Sequence, residues 1–124
     1  MRYSFESRVR YSEIGADKKL TVLSLLDYFQ DASIFNSEAV GRDFRVLTAE
    51  KRAWLLSSWQ IVVKRYPGFG EKVKISTWPY AFRNVFGDRN FLMTDESGQR
   101  LAYANSVWVY TDTENGKAVR VPSS

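Results

Sequence analysis

The 124-residue chain contains no histidine and no cysteine. Without histidine there is no imidazole to act as a base near neutral pH. Without cysteine there is no thiolate nucleophile and no disulfide framework, and a cytoplasmic home is the expectation. The two absences also remove the commonest zinc ligands. Any chemistry has to run on Asp, Glu, Lys, Tyr or Ser, and neither a metal nor another cofactor is expected. No apolar run approaches the roughly 18 to 20 residues that span a bilayer. The first residues alternate polar and apolar side chains at once, unlike a signal peptide.

What the chain does have is aromatic and apolar material. Four Trp, seven Tyr and eight Phe make up 15% of the residues, and hydrophobic residues reach 44%. That is ample for a packed core, and the length suits one domain spanning residues 1–124. The net charge of +4 suits an acidic partner such as nucleic acid, an anionic membrane or a carrier protein, or serves solubility alone.

Tyr3, Phe5, Val9 and Tyr11 alternate with polar residues, which predicts a half-buried strand over residues 2–11. A loop over residues 12–19 follows. Thr21 is placed to cap a helix. Val22, Leu25, Leu26, Phe29, Ala32, Ser33 and Asn36 then recur at spacings of three and four, with Gly41 as the stop. The helix should run for about 20 residues, against an average of about 11 or 12. Residues 42–45 read as a polar linker, and Thr48 to Arg52 as a short helical turn. Strands are expected over Trp54–Arg65, over Val73–Thr77 up to a break or bend at Pro79, over Val85–Thr94, over Leu101–Thr111, and briefly around Val119 and Val121. Glycine-bearing turns separate most of them. A lone amphipathic helix has only one surface on which to bury its stripe, a face of that sheet, and sheets twist. The expected class is therefore α+β: a hotdog fold, with a long central helix wrapped by a curved antiparallel sheet of about five to six strands.

Several stretches resemble one family in the right order. Val9-Arg10-Tyr11-Ser12-Glu13-Ile14-Gly15-Ala16-Asp17, Leu20-Thr21 and Tyr28-Phe29-Gln30-Asp31-Ala32 resemble the opening of acyl-carrier-protein thioesterases. Arg65-Tyr66-Pro67-Gly68-Phe69-Gly70-Glu71-Lys72-Val73 with Thr77-Trp78 is similar to that family's turn and strand. Ala104-Asn105-Ser106-Val107-Trp108-Val109, then Asp112, is similar to its late strand. The resemblance implies one half of a tandem pair of hotdog domains. It implies that this N-terminal half holds the fatty acyl chain, whereas an Asn, a His and acidic partners in the other half perform hydrolysis. No catalytic residue carries over. The chain is expected to stop near the linker to the second half and to be inactive alone.

The candidate sites follow, each beside a plainer alternative. Leu25, Leu26, Phe29, Ala32, Ser33 and Trp54 are expected to line the acyl slot, where each methylene leaving water gains about 0.8 kcal/mol; the alternative is ordinary core packing. Trp59, Trp78 and Trp108 carry the same ambiguity. Arg42, Arg45, Arg52 and Arg65 are expected to meet an acidic carrier or its phosphate; the alternative is a solvated surface. Glu13 and Asp17 flank Gly15, the position where single-domain relatives acting on coenzyme A esters often carry an Asp, and are remote catalytic candidates; the alternative is a solvated loop carboxylate. The implied partners are a fatty acyl thioester on the carrier and a second hotdog domain or homodimer copy. The competing function is a non-catalytic acyl-binding or dimerisation module. Binding to nucleic acid ranks last, because the aromatics sit at core-period positions.

Overall fold

The computed structural model describes residues 2–122. Strand β1 (Tyr3–Arg8) leads through a short 3-10 turn at Tyr11–Glu13 to helix α1 (Val22–Ala39). Helix α2 (Phe44–Ala49) follows, then β2 (Arg52–Val63), β3 (Lys72–Arg83), β4 (Phe86–Asp95) and β5 (Arg100–Asp112). The strands form one antiparallel sheet in the order β1-β3-β4-β5-β2. The expected hotdog architecture is present, with five strands.

Alternation decides which side chains α1 covers. Across the sheet, Phe5, Ile75, Met93, Ala102 and Val63 stand in one row. Thr77, Phe91, Ala104 and Ile61 form the next. These rows meet the buried stripe of α1, made by Leu25, Tyr28, Phe29, Ala32, Ser33 and Asn36. Phe29 is fully buried, its ring 5.1 Å from Phe91 and 6.3 Å from Trp59. Burying each such aromatic or aliphatic side chain stabilises the fold by about 1.5–3 kcal/mol. α1 starts as expected: the Thr21 hydroxyl accepts from the Ser24 backbone N–H at 3.2 Å. It also stops as expected at Gly41, whose φ of +74° a side chain would resist.

Three expectations need correction. Residues 42–45 are not a plain linker, and the short helical turn lies earlier than Thr48–Arg52. The Asp43 carboxylate accepts from the backbone N–H groups of Arg45 and Val46 and so starts α2, which buries Leu47. At Pro79, where a break or a bend was expected, the strand bends and does not end. A bulge between Pro79 and Ala81 absorbs it, and β3 runs on to Arg83. Around Val119 and Val121 there is no strand. The segment is tied by an isolated Thr111–Ala118 bridge and by single bonds from Val119 to Tyr110 and from Val121 to Asn84.

A second bulge has more consequence. Trp54 and Trp59 are an odd number of residues apart, which in a regular strand puts them on opposite faces. The register shifts between Leu56 and Ser58, so Trp54 faces Tyr110 while Trp59 faces Ser106. Tyr110 and Ser106 share a face, and both tryptophans therefore point to the helix side of the sheet.

Candidate functional site

The loop before α1 holds Glu13 firmly. One carboxylate oxygen accepts from the Tyr28 hydroxyl at 2.6 Å and from the Arg10 backbone N–H at 2.8 Å. The other accepts from the Arg10 guanidinium at 2.8 and 3.1 Å. Burial opposes ionisation of Glu13, but the bonds from Arg10 and Tyr28 together outweigh it and hold the carboxyl below its ordinary range. Such a carboxylate is engaged on both oxygens and weakly basic, and it ties the loop to the helix. Asp17 lies apart in the exposed loop, where it accepts from the Lys19 backbone N–H at 3.1 Å. A concavity of about 370 Å³ beside Glu13 is lined by Asp27, Asp31 and other polar groups, so it suits no hydrocarbon. Burial and the neighbouring Asp27 push the Asp31 carboxyl up.

The six residues expected to line a slot divide into two places. Leu25, Phe29, Ala32 and Ser33 come together under α1, while Leu26 sits half-buried at the stripe's margin. Trp54 lies elsewhere, beyond the C-terminal end of that core. Its ring packs 4.9 Å from Tyr110 and 6.1 Å from Phe82, directly over Gly87. Trp108 shares this part of the inner face, opposite Leu56 and Gly87, with its indole N–H donating to the Ser106 hydroxyl at 2.8 Å. The inner face thus has a closed end under α1 and an open aromatic end, where Phe82 and Leu56 are 59% and 38% exposed. Between the two ends, Arg89 reaches from β4 to Asn36 on α1. Sequence reasoning passed over Arg89. The signal was available: Gly87, Arg89, Phe91 and Met93 share one face of a strand, which makes the charge conspicuous among inward positions.

The four arginines expected at a carrier surface are all paired. Arg42 forms a two-pronged bond with Glu50, both distances 2.8 Å. Arg45 joins Asp43 and Glu38. Arg52 lies 3.3 Å from Asp112, and Arg65 lies 2.6 Å from Glu71 and 3.5 Å from Asp95. Arg52 and Arg65 flank the two ends of β2, roughly 40 Å apart at an extended rise. Arg42, Arg45 and Arg52 share the α2–β2 corner, and Arg65 is remote from it. Among the described residues no cluster of acidic side chains is arranged to hold a metal ion.

Comparison with known proteins bears on this site. The model of the acyl-ACP thioesterase N-terminal domain matches residues 1–124. A chloroplastic acyl-(acyl-carrier-protein) hydrolase from Cuphea viscosissima is 30% identical over 98% of the chain. The chain spans only 31% of that relative's length. A crystal structure provisionally designated an oleoyl thioesterase, from Lactobacillus plantarum, superposes with a TM-score of 0.96 at 28% identity, over 98% of this chain and 48% of that one. An acyl-ACP thioesterase from Bacteroides thetaiotaomicron shares the fold, with a TM-score of 0.92 at 24% identity, over 99% of this chain and 51% of that one. A match over the whole chain, joined to the hotdog sheet and helix, places the protein in the acyl-ACP thioesterase family, as its N-terminal domain.

Proposed function

We propose that this domain is the acyl-holding half of an enzyme that hydrolyses fatty acyl thioesters carried on acyl carrier protein. The observation that carries the reading is the inner face beyond α1: an exposed Phe82 beside half-buried Trp54 and Trp108, backed by the buried Tyr110, with neither a histidine nor a cysteine anywhere in the chain. An alkyl tail laid there leaves water and gains about 0.8 kcal/mol per methylene. No imidazole or thiolate stands beside it to activate a water, and Asp112, on the same face, is paired with Arg52. Glu13, the best-ordered acid, is spent on Arg10 and Tyr28. The attacking water and its base belong to a second hotdog domain, and the tail is shared across the contact.

The carrier docks, in this reading, at the α2–β2 corner, where acidic carrier groups replace the partners of Arg42, Arg45 and Arg52. Arg65 stands too far away to share that contact. The cytoplasm is the proposed location, on the absence of cysteine; the Cuphea relative is designated chloroplastic. Among the described residues no helix is long and apolar enough to cross a membrane.

Assays with acyl-carrier-protein and coenzyme A esters test this. The complete gene product should release free fatty acid, and residues 1–124 alone should release none above background. Hydrolysis by residues 1–124 would refute the division of labour and return attention to Glu13 and Asp17. Acyl binding without turnover by the complete product would instead favour a non-catalytic acyl-binding module.

A further inference from the structure

The loop before α1 and the connection between β2 and β3 form one platform, at the end of the sheet away from Trp54. Backbone bonds hold it: the Phe69 N–H donates to the Lys18 carbonyl at 2.9 Å, the Leu20 N–H to the Pro67 carbonyl at 2.8 Å, and the Gly70 N–H to the Val9 carbonyl at 2.9 Å. Two aromatic rings stand on it. Tyr11 is 77% and Phe69 55% exposed, and they meet edge to face at 6.3 Å. Tyr66, in the same connection, packs against the core, whereas Tyr11 and Phe69 lie outside it. Neither ring lines the concavity beside Glu13 or the one beside Gly70. Cations flank the pair. Arg8 lays its guanidinium along Gly70 and donates to that carbonyl at 3.3 Å. Lys18 and Lys19, both exposed, are tied through their backbones to Phe69 and Gly68. Lys18 holds φ at +66°, a conformation that glycine or asparagine takes more readily. Among the described residues, Arg8, Lys18 and Lys19 have no carboxylate partner. Of the acids on these two segments, Glu13 and Glu71 are taken by Arg10 and Arg65, which leaves Asp17 alone to oppose three cations.

We propose that this platform is a contact surface for a lipid bilayer with anionic headgroups: Tyr11 and Phe69 enter the boundary between headgroups and acyl tails, while Arg8, Lys18 and Lys19 meet the phosphates. Projecting rings leave water when they reach hydrocarbon, and a tyrosine can do so with its hydroxyl still among the headgroups. Cations without partners gain from a negatively charged surface. An acidic protein would answer the cations but give the rings no hydrocarbon to enter, whereas a bilayer answers both. The backbone bonds already fix the platform, so little ordering is left to oppose binding. The surface lies away from the α2–β2 corner and from the aromatic end of the inner face, and the proposal goes beyond the acyl-holding reading without depending on it.

The complete gene product is sedimented with vesicles of phosphatidylcholine alone, or of phosphatidylcholine mixed with phosphatidylglycerol. It should pellet with the mixed vesicles, stay in solution with the neutral ones, and be released by added salt. Lys18→Ser combined with Lys19→Ser should weaken partitioning roughly 25-fold, about fivefold for each cation. Tyr11→Ser combined with Phe69→Ser should weaken it about tenfold or more through loss of the rings. Both variants should unfold at the wild-type temperature. Phe69→Trp should keep the binding, and its emission should shift to the blue on the mixed vesicles. Failure of the wild type to pellet overturns the proposal, as does equal binding to both compositions, or binding by the variants equal to that of the wild type. Substitutions that raise KM for a carrier-bound ester, with no vesicle binding, would assign the platform to an acidic protein and overturn it. Substitutions that lower the unfolding temperature, with no vesicle binding, would place the platform under the second domain and overturn it too. Vesicle binding without thioester hydrolysis would reject the enzymatic reading and leave this proposal standing, and hydrolysis without vesicle binding would do the reverse.

Discussion

The Tyr28–Glu13 bond shows what a single residue contributes. The Tyr28 hydroxyl donates to an ionised carboxylate in a buried setting, and its own pKa rises through burial and through that bond. Tyr28→Phe should destabilise the domain by roughly 1.5–3 kcal/mol at neutral pH, the range for a hydrogen bond to a charged group. Glu13 has a folded-state pKa below its unfolded value. Its contribution is therefore complete above the ordinary Glu range and disappears as pH falls through the lowered folded value. Urea unfolding of wild type and Tyr28→Phe should show their difference shrinking on acidification below that range. A constant difference would mean that the hydroxyl matters for packing alone. Glu13 could be read in the sequence as a loop acid near a helix start, but not as a latch, because its partner lies on the first turns of α1 and only the folded loop brings the two together.

At the scale of elements, α1 was the most legible part, since a stripe repeated at three and four leaves little choice of period. Its cap is worth testing: Thr21→Ala should cost about 1 kcal/mol in thermal or urea unfolding, and Thr21→Ser should restore most of it. α2 was hidden because six residues carry too few repeats to display a period; what starts it is the Asp43 carboxylate on two backbone N–H groups. Five of the six expected strands are present, yet their faces were not legible. Bulges beside Pro79 and between Leu56 and Ser58 each invert the alternation that a reader extrapolates. Trp54, expected beside the α1 stripe, lies on the same face but at the other end. There a Cβ on Gly87 would come within 3.0 Å of the Trp54 ring. Gly87→Ala should destabilise by roughly 1–3 kcal/mol through overpacking. A double-mutant cycle with Trp54→Phe, which removes the offending ring, should recover part of that loss. Strictly additive effects would place the clash elsewhere.

For the molecule as a whole, the sheet order leaves β2 at an edge, paired only with β5. Leu55 and Val62 on this edge strand are 54% and 44% exposed. A long apolar edge is a template for another chain. Residues 1–124 should associate as a homodimer in light scattering at micromolar concentration, standing in for the second hotdog domain. The double substitution Leu55→Lys, Val62→Lys should give a monomer with unchanged circular dichroism. A wild-type monomer would exclude this edge as the contact.

The same sheet order has a consequence during synthesis. β2 is made before β3 and β4, but its one neighbour, β5, is made last. While the ribosome adds the intervening residues, β2 waits with both rows of backbone groups bare, and the inner face beneath Trp54 and Trp59 has no second wall. Loop closure over that span must precede any reward from pairing, so the sheet is completed only when β5 leaves the exit tunnel. Until that moment the bare edges of β2 stay open to pairing with other chains.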